Sequence, residues 1–318
     1  MNQDSALPKS FIERLKKIVP PDQYQAVLAN FALKKPVTFR INSLKTTRND
    51  LIAELHADGL APKPITGYTQ AFMVANTQRE LLTASAAFRH GRLYIQGLAS
   101  MLAPLALNPK PGEEILDLAA APGGKTCQIA DMMQNKGRIA AVEKSKTRFF
   151  KLKNNIETLG VTCVDLYLKD GGEVWRSCEN RFDRVLLDAP CSSEARFDVH
   201  EPKTLHYWSE KKIKEMARKQ WRLIYSAFRS LKLGGVLVYS TCSFAPEENE
   251  LIIARLLKRF KQAMQIDKIN LPINNIQPGL SQWQGKSLDA TLKNCVRILP
   301  NDAMTGFFIC RIVKRATT

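Results

Sequence analysis

Beyond about residue 90 the chain repeats one rhythm, in which short runs of apolar residues alternate with amphipathic stretches. The runs EILDLA (114–119), GRIAAVE (137–143), TCVDLYL (162–168), FDRVLLDA (182–189) and GGVLVYSTC (234–242) read as buried strands. Helical periodicity predicts helices that begin near Gly124, Ser145, Ser209 and Pro246. Strands apolar on both faces and separated by helices specify a parallel sheet covered on both sides, so residues 91–318 are expected to form one α/β domain. The stretch from Ser209 to Lys232 carries Ile213, Met216, Trp221, Ile224, Phe228 and Leu231 on one side, which reads as a core face. Its Lys211, Lys212, Lys214, Arg218, Lys219 and Arg222 read as a solvated face, with contact to RNA as the alternative. Residues 1–90 mix helical stretches with strand-like runs such as PVTFRIN (36–42) and turn formers such as ADGLAPKPITG (57–67), and read as a small α+β domain.

Composition changes this picture in one respect. Lys and Arg outnumber Asp and Glu by 47 to 30, a formal charge of +17, which points to a polyanionic partner. The N-terminal stretch MNQDSALPKSFIERLKKIVP has no apolar segment before a small-residue cleavage site, and no apolar run approaches membrane-spanning length, so a cytoplasmic monomer with no membrane partner is expected. The seven cysteines form no C-x-x-C pair and the four histidines lie at no metal-ligand spacing from them, which argues against a disulfide framework and against a metal.

The chemistry concentrates at predicted strand ends, where open α/β sheets bind ligands. The loop DLAAAPGGKT (117–126) fits a relaxed phosphate-binding loop, with Lys125 and Thr126 ending it and Asp188 as a second carboxylate. It equally fits a nucleoside site, which requires an acidic residue at the end of the next strand to accept from ribose hydroxyls; Glu143 is that residue. Asp170 follows the third strand and reads either as an adenine contact or as an ordinary turn residue beside Gly171 and Gly172. DAPCSS and YSTCSF put Cys191 and Cys242 at neighbouring strand ends with Asp188, a set that phosphate hydrolysis does not need and covalent catalysis does. The helix expected after Cys242 is one device that would lower the pKa of that thiol.

DLAAAPGGKT, DAPCSS and STCS in this order resemble the RNA (cytosine-5) methyltransferase family that includes bacterial ribosomal RNA enzymes and the NOL1/NOP2/Sun proteins. FRINSLK, YIQGLASMLAPLAL and RILPNDAMTGFFICRI extend the likeness over most of the chain. Gly97 stands where the family commonly has an acidic residue, and SSEARF (192–197) replaces its usual small-residue run. The resemblance implies a Rossmann-like class I S-adenosylmethionine-dependent methyltransferase sheet with a small N-terminal α+β domain. It implies that Ala119, Ala120, Ala121, Pro122, Gly123, Gly124 and Lys125 hold S-adenosylmethionine, with Glu143 at the ribose, Asp170 at the adenine and Arg148 beside them. Asp188 is then expected between cofactor and base, Cys242 as the nucleophile and Cys191 as the residue that assists product release, while Lys125 has a catalytic or a capping role. The implied partner is RNA, ribosomal RNA first and transfer RNA second; a catalytically weak RNA-binding assembly factor is the other alternative. Lys34, Lys35, Arg40, Lys45 and Arg48 are expected to form an RNA platform around Phe39, itself either a stacking residue or a core strand position.

Overall fold

The computed structural model describes residues 7–316; the first six residues of the N-terminal stretch read above lie outside the described residues. All five expected strands form, at Glu114–Asp117, Arg138–Glu143, Val164–Leu168, Phe182–Asp188 and Leu231–Thr241, and they are parallel. Glu114–Asp117 lies between Arg138–Glu143 and Phe182–Asp188, so the chain progresses to opposite sides of it. That reversal opens a crevice at the carboxyl ends of the strands, and the residues selected at those ends converge there.

Among the described residues the sheet has nine strands. The antiparallel extension was not foreseen: Phe307–Lys314 pairs with Leu231–Thr241, and Met264–Asp267, Val296–Ile298 and Ile276–Pro278 follow outward. From Met264 to Lys314 only the short 3₁₀ turn Ala290–Asn294 interrupts the strands, so the alternation that revealed the parallel strands is missing. Ser145 and Ser209 cap their helices as expected, Ser209 Oγ accepting from Lys212 N at 3.1 Å. The helix expected near Pro246 begins instead at Glu250. In Glu210–Ser230 the apolar stripe is core, with Ile213, Met216, Ile224 and Phe228 buried, and Lys212 and Lys219 pair with Glu215 on the outer face.

The small domain is an antiparallel sheet of Lys63–Ile65, Tyr68–Val74, Val37–Ile41 and Leu93–Ile95 over its own core of Phe39, Leu51, Leu55 and Phe72. Leu93–Ile95 lies past residue 90. The two N-terminal helices, Lys9–Ile18 and Tyr24–Ala29, pack on the large domain, with the Phe11 ring 4.9 Å from Phe197 and 5.7 Å from Trp208. All five residues of Val37–Ile41 are buried because the strand is interior to its sheet and covered on both faces. Phe39 is therefore a core residue, stacked on Phe72 at 5.8 Å. Arg40 is 1% exposed and bonds Gln96, the Gly124 carbonyl and Asp131, so it tethers the two domains and offers nothing to RNA. The single five-residue platform expected from sequence is thus divided, with Lys34, Lys45 and Arg48 left at the surface.

No helix among the described residues is long and apolar enough to cross a membrane.

Candidate active site

The loop after Glu114–Asp117 is fastened at both sides: Leu118 N–H donates to Leu186 O and Ala120 N–H to Val142 O. It ends at Gly123, whose φ of +104° strains any side chain, and whose Cβ would come within 2.9 Å of Leu152. Helix Gly124–Met132 starts there, and Gly124 and Lys125 of its first turn line the crevice. Ala119, Ala120, Ala121, Pro122, Gly124 and Lys125 line a cavity of about 260 Å³ with Asp188. A second cavity of about 340 Å³ shares Ala119 and Arg148 with the first and adds Glu143 and Asp170.

The phosphate-loop alternative fails on the two residues it requires. The Thr126 hydroxyl is fully buried and donates to Asp117 Oδ2 at 2.7 Å, so it is not free for a metal. Burial pushes Asp117 up to about 6 against that hydrogen bond. Lys125 Nζ donates to Asp188 Oδ2 and to Ser100 Oγ, both at 2.6 Å, rather than projecting towards a phosphate.

Glu143 carries the observation that fits a ribose. The residue is 4% exposed; its Oε1 accepts from Ser145 N–H at 2.7 Å, whereas buried Oε2 has no hydrogen-bond donor and lies 3.4 Å from Arg148 Nη1. An unfilled acceptor on a cavity wall is a place for a ligand hydroxyl. Arg148 also donates to the Ala121 carbonyl and so braces the loop. Asp170 takes the turn position and also borders the cavity. It caps Gly172 N–H at 3.0 Å and stands on the cavity wall, held low in pKa first by the Lys144 ammonium at 2.7 Å.

Cys191 and Cys242 meet, with 3.2 Å between their sulfurs. The pairing Asp188↔Ser240 brings the two strand ends together, and Ser240 Oγ donates to Asp188 Oδ1 at 2.8 Å. A hydrogen bond from Cys191, then the Arg196 guanidinium and the Ser193 hydroxyl, hold the buried Cys242 thiol below its ordinary range in spite of burial. The same contact, with burial, pushes Cys191 up, so of the two thiols Cys242 gives up its proton the more readily.

Four participants were not singled out from sequence: Ser100, Glu194, Arg196 and Glu248. Glu194 Oε2 accepts from Phe244 N–H and Ala245 N–H at 2.9 and 2.8 Å, and its Oε1 from Trp208 Nε1 at 2.8 Å. Glu248 Oε2 accepts from Ser192 N–H and Gln220 Nε2. These two carboxyl groups tie the loops of both cysteines to one buried polar cluster. The signal available was SSEARF itself, charged residues where small ones are usual.

The family described as "16S rRNA methyltransferase RsmB/F" matches residues 104–313, and its ferredoxin-like domain matches residues 7–79. The chain is 38% identical over 314 residues to a tRNA (cytosine(49)-C(5))-methyltransferase of Pyrococcus abyssi, with 96% of each chain covered. It is 31% identical to ribosomal RNA small subunit methyltransferase F of Erwinia tasmaniensis, covering 98% of this chain and 64% of that one. The crystal structure of NSun6 from Pyrococcus horikoshii with SFG superimposes with a TM-score of 0.82 at 26% identity, covering 98% and 99%.

Proposed function

We propose a reaction from one premise: the chain belongs to the RsmB/F family, and is an S-adenosylmethionine-dependent RNA (cytosine-C5) methyltransferase. The observation that carries the reaction is the pair of sulfurs 3.2 Å apart beside the Lys125–Asp188 ion pair. Cytosine C5 is a poor nucleophile. Addition of a thiolate at C6 converts the ring into an enamine and makes C5 reactive. Cys242 makes that bond, and the hydrogen-bonded Lys125–Asp188 pair delivers a proton to the base as negative charge develops at N3. Bound S-adenosylmethionine supplies an electrophilic methyl group. Formation of the C6–S bond removes the sulfur charge that keeps Cys191 protonated, so Cys191 can then release its proton to solvent, the one net proton of the turnover, and take the one from C5. Elimination returns the C6–S electron pair to Cys242 and the N3 proton to the Lys125–Asp188 pair. The target cytosine reaches this crevice only when unstacked.

The residues fit the cofactor as follows: Glu143 Oε2 for the ribose hydroxyls, Asp170 for the adenine edge, and the loop Ala119–Lys125 with Arg148 around the rest. Calorimetry should detect S-adenosylmethionine binding and no Mg²⁺-dependent ATP binding. Glu143→Ala should weaken cofactor binding by about 10- to 100-fold, because the ribose loses a charged acceptor. Unchanged affinity would remove Glu143 from the site.

Ribosomal RNA is the proposed substrate, following the description of the matching family. A transfer RNA reading is favoured by one observation, the relative of equal extent and 38% identity that acts on tRNA. Bisulfite sequencing of total RNA from a deletion strain decides between them by showing which cytosine loses protection. For the strand beside the target, a groove of about 340 Å³ lined by Lys34, Lys35 and Arg196 adjoins the catalytic cavity, with which it shares Arg196. Affinity for RNA should fall steeply with salt, and Lys34→Glu should reduce the slope by about one, the value for one phosphate contact. A slope that does not change would move the RNA surface to the Lys211–Arg218 side of helix Glu210–Ser230.

A further inference from the structure

We infer that Arg196 is the fixed cation that sustains Cys242 as the attacking sulfur anion, held in place by a turn docked on the loop that carries Cys242. The inference rests on the reading of Cys242 as the nucleophile and adds a residue to it.

The turn is built for that position. Ser193 takes the left-handed conformation, with φ at 61°, and the chain then coils through Glu194–Arg196. Ala195 N–H donates to the carbonyl of Cys242 itself at 3.1 Å. Glu194, 1% exposed, takes the N–H groups of Phe244 and Ala245 and the Ser243 hydroxyl at 3.0 Å, all in the segment following Cys242. Its other oxygen is held by Trp208 Nε1, which packs against Phe11. One side of the turn is therefore anchored to the nucleophile loop, and Arg196 extends from it into the wall that faces Lys125 and Asp188.

The charges around the sulfur leave Arg196 a distinct part. Among the strongest influences on Cys242, Cys191 and Ser193 are neutral donors, Asp188 is the anion and Arg196 is the cation. The other nearby cation, Lys125, is engaged by Asp188 and Ser100. The Asp188 carboxylate opposes a second negative charge in the same crevice, and a guanidinium that does not titrate in the working range offsets that repulsion. A helix N-terminus does not substitute for it. The following helix begins at Glu250, and the Glu250 carboxylate there is bonded to Arg297. When the C6–S bond forms, the sulfur electron pair becomes the bond and negative charge passes to the ring, where the Lys125–Asp188 pair supplies the proton.

The test reads the thiol without RNA or turnover. The full chain is alkylated with iodoacetamide across pH 5 to 10, and the Cys242 and Cys191 peptides are quantified separately by mass spectrometry. Arg196→Gln should move the acid limb of Cys242 labelling upward by about one pH unit, which is about fivefold slower labelling at the parent midpoint and about tenfold slower well below it, with equal rates at the alkaline end. Arg196→Lys should restore most of the parent profile. A purely structural role predicts instead a lowered thermal midpoint with the labelling profile in place. Superimposable profiles for the parent and Arg196→Gln, or a lysine variant no better than glutamine, would overturn the inference. Failure of the reaction reading is separately visible, as methyl transfer by Cys242→Ala.

Discussion

Cys242→Ala is expected to lower methyl transfer by at least about 10³-fold and to abolish any covalent RNA adduct, because the sulfur that forms the C6 bond is gone and Cys191 is held as the protonated partner. Cofactor affinity should be retained, since Cys242 lines neither the cavity of the 119–125 loop nor that of Glu143 and Asp170. Cys191→Ala should have the opposite signature. The nucleophile remains, although it loses the hydrogen bond from Cys191 that most favours its anion, so the C6 bond and methylation still occur. Removal of the C5 proton fails, and the protein–RNA adduct should accumulate as a shifted band on a denaturing gel. Adduct in Cys242→Ala and none in Cys191→Ala would exchange the two roles.

The second large effect is expected at Asp188. Its two oxygens have separate donors, Ser240 Oγ at 2.8 Å and Lys125 Nζ at 2.6 Å. An asparagine can offer its one carbonyl oxygen to only one of them, and its NH₂ must then face a hydroxyl or an ammonium. Asp188→Asn should therefore lower kcat by about 10²- to 10³-fold through loss of the proton delivered to the base. Its effect on the S-adenosylmethionine dissociation constant should stay within about threefold. A kcat within about threefold of the parent would separate Asp188 from the base, and a large loss of cofactor affinity would make it a cofactor residue instead.

The position of each predicted strand was legible for a physical reason: a strand covered on both faces must be apolar along its length, and the helices between strands interrupt that signal periodically. The strand-end chemistry was legible because parallel strands all deliver their carboxyl ends to one edge, so Glu143, Asp188, Cys191 and Cys242 were placed together without knowledge of any distance. Where two faces are not both buried by helices, the signal failed. The antiparallel strands from Met264 to Lys314 follow one another without an α-helix, and Arg40 was grouped with surface cations although its strand, Val37–Ile41, is buried throughout.

By itself, then, the sequence determined the parallel core, the loop and acidic residue of a nucleoside site, and the two thiols, since each depends on local pattern and on strand polarity. The tertiary structure alone decided which partners these groups have. That Lys125 binds Asp188 and that Arg196 reaches the crevice depend on contacts between segments tens of residues apart, and that Thr126 is spent on Asp117 and that Glu143 Oε2 receives no hydrogen bond depend on how the loops beside them fold. Sequence spacing does not encode such contacts, because they arise only when packing brings separate strand ends and loops to one edge. The protonation of the two cysteines belongs to this second group. A thiol's pKa is set by burial and by the charges within a few ångströms, and for Cys242 those are Cys191, Arg196, Asp188 and Ser193, gathered there by the fold.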